Sequence, residues 1–119
     1  MTVNRGDVVL LNYPFSSGRG AKVRPAVVVQ TDRNNPRLTN TIVAMITRTT
    51  QRALHEPTQY FLDPSTPEGN AAGVLHPSAI TCENLLTVDQ QLIFRKIGSL
   101  PAADMQHVNN CLKAALQLS

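Results

Sequence analysis

The sequence predicts a mainly β fold, a small closed or half-closed barrel that ends in one α-helix. Short runs of β-branched residues bounded by turn residues, such as residues 25–30 and 41–47, are typical of strands. After Pro101, apolar residues recur at spacings of three and four as far as Leu118, which predicts an amphipathic helix. Strands and helices do not alternate along the chain, so a parallel α/β sheet is not expected.

The predicted strands are short, and Gly, Pro, Ser or Asp residues separate them. They cover residues 7–13, 25–30, 41–47, 58–62, 74–76, 78–82, 86–88 and 92–94. The stretch 74–82 also allows one bent strand that is interrupted at Pro77. Polar turn residues predict loops and turns at residues 16–22, 32–40 and 65–73. The final helix is predicted over residues 102–118.

A chain of 119 residues is expected to form one domain, spanning residues 1–119, with a core of its own. Hydrophobic residues make up 42% of the chain but aromatic residues only 4%, so Val, Ile, Leu and Ala must fill that core. No apolar run approaches the roughly 18 residues that span a bilayer. The first residues lack the charged-then-apolar layout of a signal peptide, so we expect a cytoplasmic protein without membrane contact.

Positive charge is concentrated in the first half of the chain. Residues 1–52 carry eight Lys and Arg against two Asp and Glu, whereas residues 53–119 carry three against six. A basic surface opposite a mildly acidic one is typical of proteins that bind a polyanion. Composition alone leaves a second interpretation open, a solvated basic face without a partner.

Residues that support metal or nucleophilic catalysis are scattered along the sequence. Cys82 and Cys111 have no zinc-ligand spacing and are expected to be buried thiols in a reducing compartment. The histidines His55, His76 and His107 have no partner at a useful spacing. The carboxylates form no metal-binding pattern, and neither a Gly-rich phosphate loop nor a GxSxG motif occurs. We therefore expect no metal and no cofactor.

Arginine and hydroxyl side chains leave one chemistry open, the cleavage of RNA. RNA carries its own nucleophile, the 2′-OH next to the scissile phosphate, so its cleavage needs no metal. The enzyme must orient this hydroxyl in line with the leaving 5′ oxygen and stabilise the charge of a phosphorane-like transition state. An arginine fork matches phosphate oxygens, and a threonine hydroxyl at a strand end can hold a further oxygen.

Five segments, in this order along the chain, resemble the MazF/PemK toxins of type II toxin–antitoxin systems. They cover nearly the whole length, at residues 5–9, 23–29, 42–47, 80–89 and 97–100. The second contains Arg-Pro directly before a valine run, and the fourth contains Cys-Glu-Asn-Leu-Leu. Each segment alone is a weak signal, whereas the ordered series is specific.

The resemblance implies an SH3-like (CcdB/PemK-type) β-barrel with a C-terminal α-helix that works as a homodimer. It also implies a sequence-specific, metal-independent endoribonuclease toxin, an mRNA interferase that cleaves single-stranded RNA to a 2′,3′-cyclic phosphate and a 5′-OH. A cognate antitoxin is expected to neutralise the toxin by laying an extended acidic and apolar tail in the RNA groove.

The resemblance places the catalytic residues at Arg24 and Thr47. Arg24, in the Arg-Pro segment, corresponds to the residue that stabilises the phosphate and transfers protons. Thr47, at the end of the third strand, corresponds to the residue that positions the phosphate. Without the resemblance, Arg24 would be interpreted as a strand cap and Thr47 as an ordinary strand residue. Further RNA-binding residues are expected at Phe15, Ser16, Ser17, Arg19, Lys22, Thr49, Thr50, Glu83 and Asn84.

Some of these roles have alternatives. Thr49 or Thr50 could make the phosphate contact in place of Thr47. The pair Glu83-Asn84 is explained equally well as a turn at a strand end. Many MazF/PemK toxins carry a Glu-Gln-Gly-type segment where this chain has basic and small residues at positions 18–22, so its preferred RNA sequence is expected to differ.

Two other functions are compatible with the same fold. Relatives that inhibit a protein target such as DNA gyrase act through aromatic residues near the C-terminus, whereas this chain ends in Leu-Gln-Leu-Ser. A non-catalytic RNA-binding module would expose aromatic side chains to stack on bases, and Phe15 is the one plausible platform. An inactive, antitoxin-like regulator has no positive support in the sequence. The ribonuclease is therefore favoured.

Overall fold

The computed structural model describes residues 2–14 and 21–119, so the predictions for Phe15, Ser16, Ser17 and Arg19 lie outside the described residues. The described residues form six strands, two α-helices and a short 3-10 turn at Gln90–Leu92. The elements are β1 (Asp7–Pro14), β2 (Ala21–Val28), β3 (Asn40–Thr47), β4 (Gln59–Leu62), α1 (Pro67–Ala72), β5 (Ser78–Asp89), β6 (Ile93–Ser99) and α2 (Ala102–Leu116). Neither helix is long and apolar enough to cross a membrane.

The six strands form one antiparallel sheet in the order β4-β5-β3-β2-β1-β6. The sheet is not closed, because no ladder within the described ranges joins its edge strands β4 and β6. The mainly β fold with a C-terminal helix is thus confirmed. Of the two barrel forms that the sequence allowed, the closed one is excluded.

Strand lengths differ from the predicted ones where pairing partners decide them. β2 begins at Ala21, inside the predicted loop, because its first half pairs with β1. β5 runs unbroken over Ser78–Asp89, where several short strands were predicted, because successive parts of it pair with β4 and β3. Residues 74–76 were wrongly predicted as a strand, since no strand forms there.

A short helix occupies part of the stretch that was predicted as turns. Thr66 caps α1, its hydroxyl accepting a hydrogen bond from the Gly69 N–H at 3.1 Å, and Pro67 fills the first helical position. Gly73 ends the helix in the left-handed conformation, with φ of 78°. These residue types also mark turns, and six residues are too few to show a helical period, which explains the wrong prediction.

The core has two parts because both faces of the central strands are buried. Val8 and Val27 point towards the helices and join a cluster that includes Val108 of α2. Their neighbours Val9 and Val28 point to the opposite face and join a second cluster. Alternate side chains of a strand lie on opposite faces, so continuous valine runs such as residues 26–29 serve both clusters.

Both cysteines are buried and free, as the sequence predicted. Burial, followed by the neighbouring Cys111, raises the pKa of the Cys82 thiol to about 12. Burial also raises the pKa of Cys111. Both side chains therefore remain protonated thiols that pack α2 onto β5, and they are not nucleophiles.

Helix α2 is attached to the sheet edge by Tyr60 of β4. The Tyr60 hydroxyl donates a hydrogen bond to Oδ1 of the buried Asp104 at 2.5 Å. The Tyr60 ring stacks on His107, with 5.2 Å between ring centroids. Burial, followed by the contact with Asp104, raises the pKa of the Tyr60 phenol, so the phenol remains a neutral donor.

Replacing Tyr60 with phenylalanine is expected to lower the free energy of unfolding by about 1–3 kcal/mol, because the buried Asp104 loses its donor. The folded chain holds the phenolic proton more tightly than the unfolded chain, so this stabilisation persists at neutral pH and is lost as pH rises above about 10. Urea unfolding of both proteins at pH 7 and pH 10.5 measures the difference. An equal stability at pH 7 would contradict the role of the hydrogen bond.

Candidate active site

A groove opens where β2 and β3 separate. The ladder between them pairs Val28 with Val43 and Ala26 with Met45. Beyond that pair, β2 continues along β1 and β3 continues along β5. Continued past the ladder, this register brings Arg24 level with Thr47, two residues beyond Ala26 and Met45 and on the same strand faces as those residues. Both residues line a cavity of about 640 Å³, so the structure brings the two predicted catalytic residues together.

The Thr47 hydroxyl is oriented by the backbone that follows it. The Thr49 N–H donates a hydrogen bond to Thr47 Oγ1 at 3.1 Å. Because the oxygen accepts this bond, its own proton is free to be donated into the groove. Thr49 also lines the groove, whereas Thr50 is half-buried and does not line it.

A bulge in β5 supplies the next part of the groove wall. β3 pairs Ala44 with Leu85 and the adjacent Met45 with Thr81, so residues 82–84 have no opposite residue on β3. Bulges bend a strand and redirect its side chains. Here the bulge aims Glu83 and Asn84 into the groove, where both were predicted to bind RNA. Neither residue is the strand-end turn of the alternative interpretation, since β5 continues to Asp89.

Glu83 is held by Gln59, the first residue of β4, and by Thr58, which precedes it. The Thr58 hydroxyl donates to Glu83 Oε1 at 2.9 Å, and Gln59 Nε2 donates to Glu83 Oε2 at 2.7 Å. Partial burial acts to raise the pKa of Glu83, but the hydrogen bonds from Gln59, its own backbone and Thr58, with the charge of Arg52, lower it overall. Glu83 is therefore ionised at neutral pH, and its two hydrogen bonds hold the carboxylate in one position.

Four further polar residues line the groove but were not predicted as site residues from the sequence, namely Gln51, Arg52, Gln59 and Thr81. Gln51 and Arg52 follow β3 closely, and the excess of positive charge in residues 1–52 was the available signal for Arg52. Gln59 had no local signal, because it reaches the groove only through the pairing of β4 with β5.

Lys22 is exposed on β2 and lies outside the groove lining, two positions before Arg24 and therefore on the same strand face. The stretch just before β2, residues 15–20, lies outside the described residues. In the described part of the chain, no three His, Cys, Asp or Glu side chains are grouped so that they could hold a metal ion.

The protein is thus a small open β sheet with a terminal helix, and its groove brings an arginine and a threonine together. The family described as PemK-like, MazF-like toxin of type II toxin-antitoxin system matches residues 4–116. The chain belongs to this family.

Relatives of similar length support the assignment. Endoribonuclease EndoA of Bacillus subtilis is 33% identical over 119 residues, which cover 99% of this chain and 97% of that protein. Endoribonuclease MazF6 of Mycobacterium tuberculosis is 30% identical over 120 residues, covering 99% of this chain and all of that protein, 100%.

Solved structures share the fold. An endoribonuclease in complex with its cognate antitoxin from a mycobacterial species superimposes with a TM-score of 0.74 at 23% identity, over 98% of this chain and 97% of that one. MazF in a MazE–MazF crystal structure from Deinococcus radiodurans superimposes with a TM-score of 0.77 at 18% identity, over 100% and 99% of the two chains. At these identities the match concerns the fold alone.

Proposed function

We propose that this toxin is a sequence-specific endoribonuclease that cleaves single-stranded mRNA without a metal ion. The observation that carries the proposal is that Arg24 and Thr47 line the same polar groove. It is supported by relatives of 30% identity or more that are named endoribonucleases and match over nearly their whole length.

Cleavage in this groove uses the 2′-OH of the RNA as nucleophile. The 2′ oxygen attacks the adjacent phosphorus, the bond to the 5′ oxygen breaks, and the products are a 2′,3′-cyclic phosphate and a 5′-OH. Arg24 donates hydrogen bonds from its planar fork to the phosphorane oxygens, where negative charge develops. Its guanidinium gives a proton to the leaving 5′ oxygen and recovers one from the 2′-OH, so it ends the cycle unchanged.

Thr47 positions the phosphate for this attack. Its hydroxyl oxygen is fixed by the Thr49 N–H, and its proton is donated to a non-bridging phosphate oxygen. Lys22 and Arg52 add positive charge along the RNA backbone, which raises affinity without selecting bases. Phe15, Ser16, Ser17 and Arg19 remain predicted RNA contacts.

Partners and location follow from the same proposal. Structures of relatives contain a cognate antitoxin, or MazE, with the toxin, so we assign this chain an antitoxin partner that blocks the groove. A homodimer deepens a shallow groove by pairing two copies around a two-fold axis. The toxin acts in the cytoplasm, where mRNA is translated.

The proposal is tested by incubating the purified protein with a long single-stranded RNA in EDTA. We expect cuts at a few recurring short sequences, each leaving a 5′-OH that polynucleotide kinase labels directly. Intact RNA from a folded protein, across varied sequences and salt concentrations, would contradict the proposal and favour inhibition of a protein target.

Replacing Thr47 with valine keeps the side-chain shape but removes the hydroxyl donor. We expect the rate of the cleavage step to fall by up to about 100-fold, and Thr47→Ser to recover most of it. Single-turnover cleavage measures this rate, with Thr50→Val as the matched control outside the groove. A larger loss in Thr49→Val or Thr50→Val than in Thr47→Val would move the phosphate contact to that residue.

A further inference from the structure

The groove has walls of opposite character. Arg24 and Thr47, on β2 and β3, present hydrogen-bond donors. Gln59 and Glu83, on β4 and β5, present acceptors. The donors suit the phosphate, so the acceptors face another part of the RNA. Bases of single-stranded RNA are splayed out and recognised on their Watson–Crick edges.

The carboxylate of Glu83 is fixed in orientation before RNA binds. One oxygen accepts from the Thr58 hydroxyl and the other from Gln59 Nε2, at 2.9 and 2.7 Å. Each carboxylate oxygen can accept two hydrogen bonds, so each retains one lone pair. The side chain is exposed on the groove side, so these two lone pairs are available to a ligand.

Gln59 contributes a third acceptor. Its Nε2 is committed to Glu83, which also sets the direction of Oε1. Among the described residues, Gln59 Oε1 is the buried side-chain oxygen or nitrogen without a hydrogen-bond partner. A buried acceptor without a partner costs about 1–3 kcal/mol, so its presence in a groove wall points to a donor supplied by a ligand.

We propose that Glu83, held by Thr58 and Gln59, recognises a guanine base of the RNA substrate. Guanine is the one standard base whose Watson–Crick edge carries two adjacent donors, the N1–H and the 2-amino group, which match the two carboxylate oxygens. The second amino hydrogen is donated to Gln59 Oε1 when the Gln59 side chain shifts to expose this oxygen, which is buried in the free protein. Adenine, cytosine and uracil place an acceptor beside each donor, and that acceptor would face a carboxylate oxygen. Sites built this way reject the wrong partner strongly, because a buried polar group is left unpaired.

The inference rests on the proposed ribonuclease function, and guanine-to-inosine substitution tests it directly. Inosine keeps the N1–H but lacks the 2-amino group. At the cleavage sequence of the wild-type protein we expect a required guanine, and inosine in its place should lower kcat/KM by about 10- to 100-fold, mainly through KM. In Glu83→Gln the same substitution should change kcat/KM by less than about threefold, because the amide has only one acceptor oxygen.

Two variants separate recognition from a structural role. Glu56→Gln removes the same charge, and Glu56 also lies within 3.3 Å of the Thr58 hydroxyl but not in the groove lining, so it should retain the full inosine effect. Thr58→Val should reduce the inosine effect without abolishing cleavage, since Thr58 acts only through Glu83. A cleavage sequence without guanine, or an inosine effect that survives in Glu83→Gln, would overturn the base assignment while leaving the ribonuclease function intact.

A binding measurement makes the inference independent of catalysis. Fluorescence anisotropy of Arg24→Ala with a labelled uridine tract carrying one guanine, or one inosine, should show tighter binding of the guanine tract by about tenfold. Tighter binding of the guanine tract by a wild-type protein that cuts no RNA would contradict the ribonuclease function but support the guanine site. Equal binding of the two tracts would overturn the guanine site.

Discussion

Replacing Arg24 with alanine is expected to lower the cleavage rate by at least about 100- to 1000-fold, the largest effect of any substitution in the groove. In the proposed mechanism the guanidinium donates to the phosphate that Thr47 positions, and both residues line the groove. Its loss removes hydrogen bonds and positive charge at the point where the phosphorane accumulates negative charge. Single-turnover cleavage of an RNA with one cut site, in EDTA, measures the rate.

Two comparisons show whether the planar guanidinium group of Arg24 or only its positive charge is responsible for the cleavage rate. Arg24→Lys keeps the charge but loses the planar fork, so it should remain impaired by more than about tenfold. Arg48→Ala removes the same charge from the residue that directly follows Thr47, but Arg48 lines a different cavity, with Leu10, Pro25 and Arg95. It should cleave at close to the wild-type rate. Equal losses in Arg24→Ala and Arg48→Ala would show that only overall charge matters, and would contradict the assignment.

Replacing Gly73 with alanine is expected to produce a large loss of stability, because both its backbone conformation and its surroundings exclude a side chain. Gly73 has φ of 78°, where an L side chain costs about 1–2 kcal/mol. A Cβ built there would lie 2.2 Å from the backbone oxygen of Ile97 on β6, so α1 and β6 would have to move apart. Overpacking of this kind typically costs a further ~1–3 kcal/mol, which is comparable to the backbone strain.

Urea unfolding compares this variant with Asn70→Ala, which changes an exposed residue of the same helix. Asn70→Ala should alter the free energy of unfolding by less than about 0.5 kcal/mol. A second close approach, between Gly98 of β6 and the backbone of Ala71 and Ala72, predicts that Gly98→Ala is also destabilising. Wild-type stability in Gly73→Ala would show that α1 does not pack on β6 as described.

The sequence by itself determined the elements whose signals are local. Valine runs predicted the buried strands, and the three-and-four spacing after Pro101 predicted α2. The ordered resemblance to MazF/PemK toxins predicted Arg24 and Thr47 as partners, although they lie on different strands. Burial of the two cysteines followed from composition and spacing alone.

Only the tertiary structure decided how the groove is built. The β5 bulge at residues 82–84 contains neither glycine nor proline, so nothing local marks it. It is seen only in the pairing of β5 with β3, whose register shifts between Ala44 and Met45. Gln59 meets Glu83 through that same pairing, which joins residues distant in the chain. Local patterns indicate which residues favour a strand. Register and bulges depend instead on partners that are distant in the chain. In this protein those partners place Gln59 and Glu83 in the same groove as Arg24.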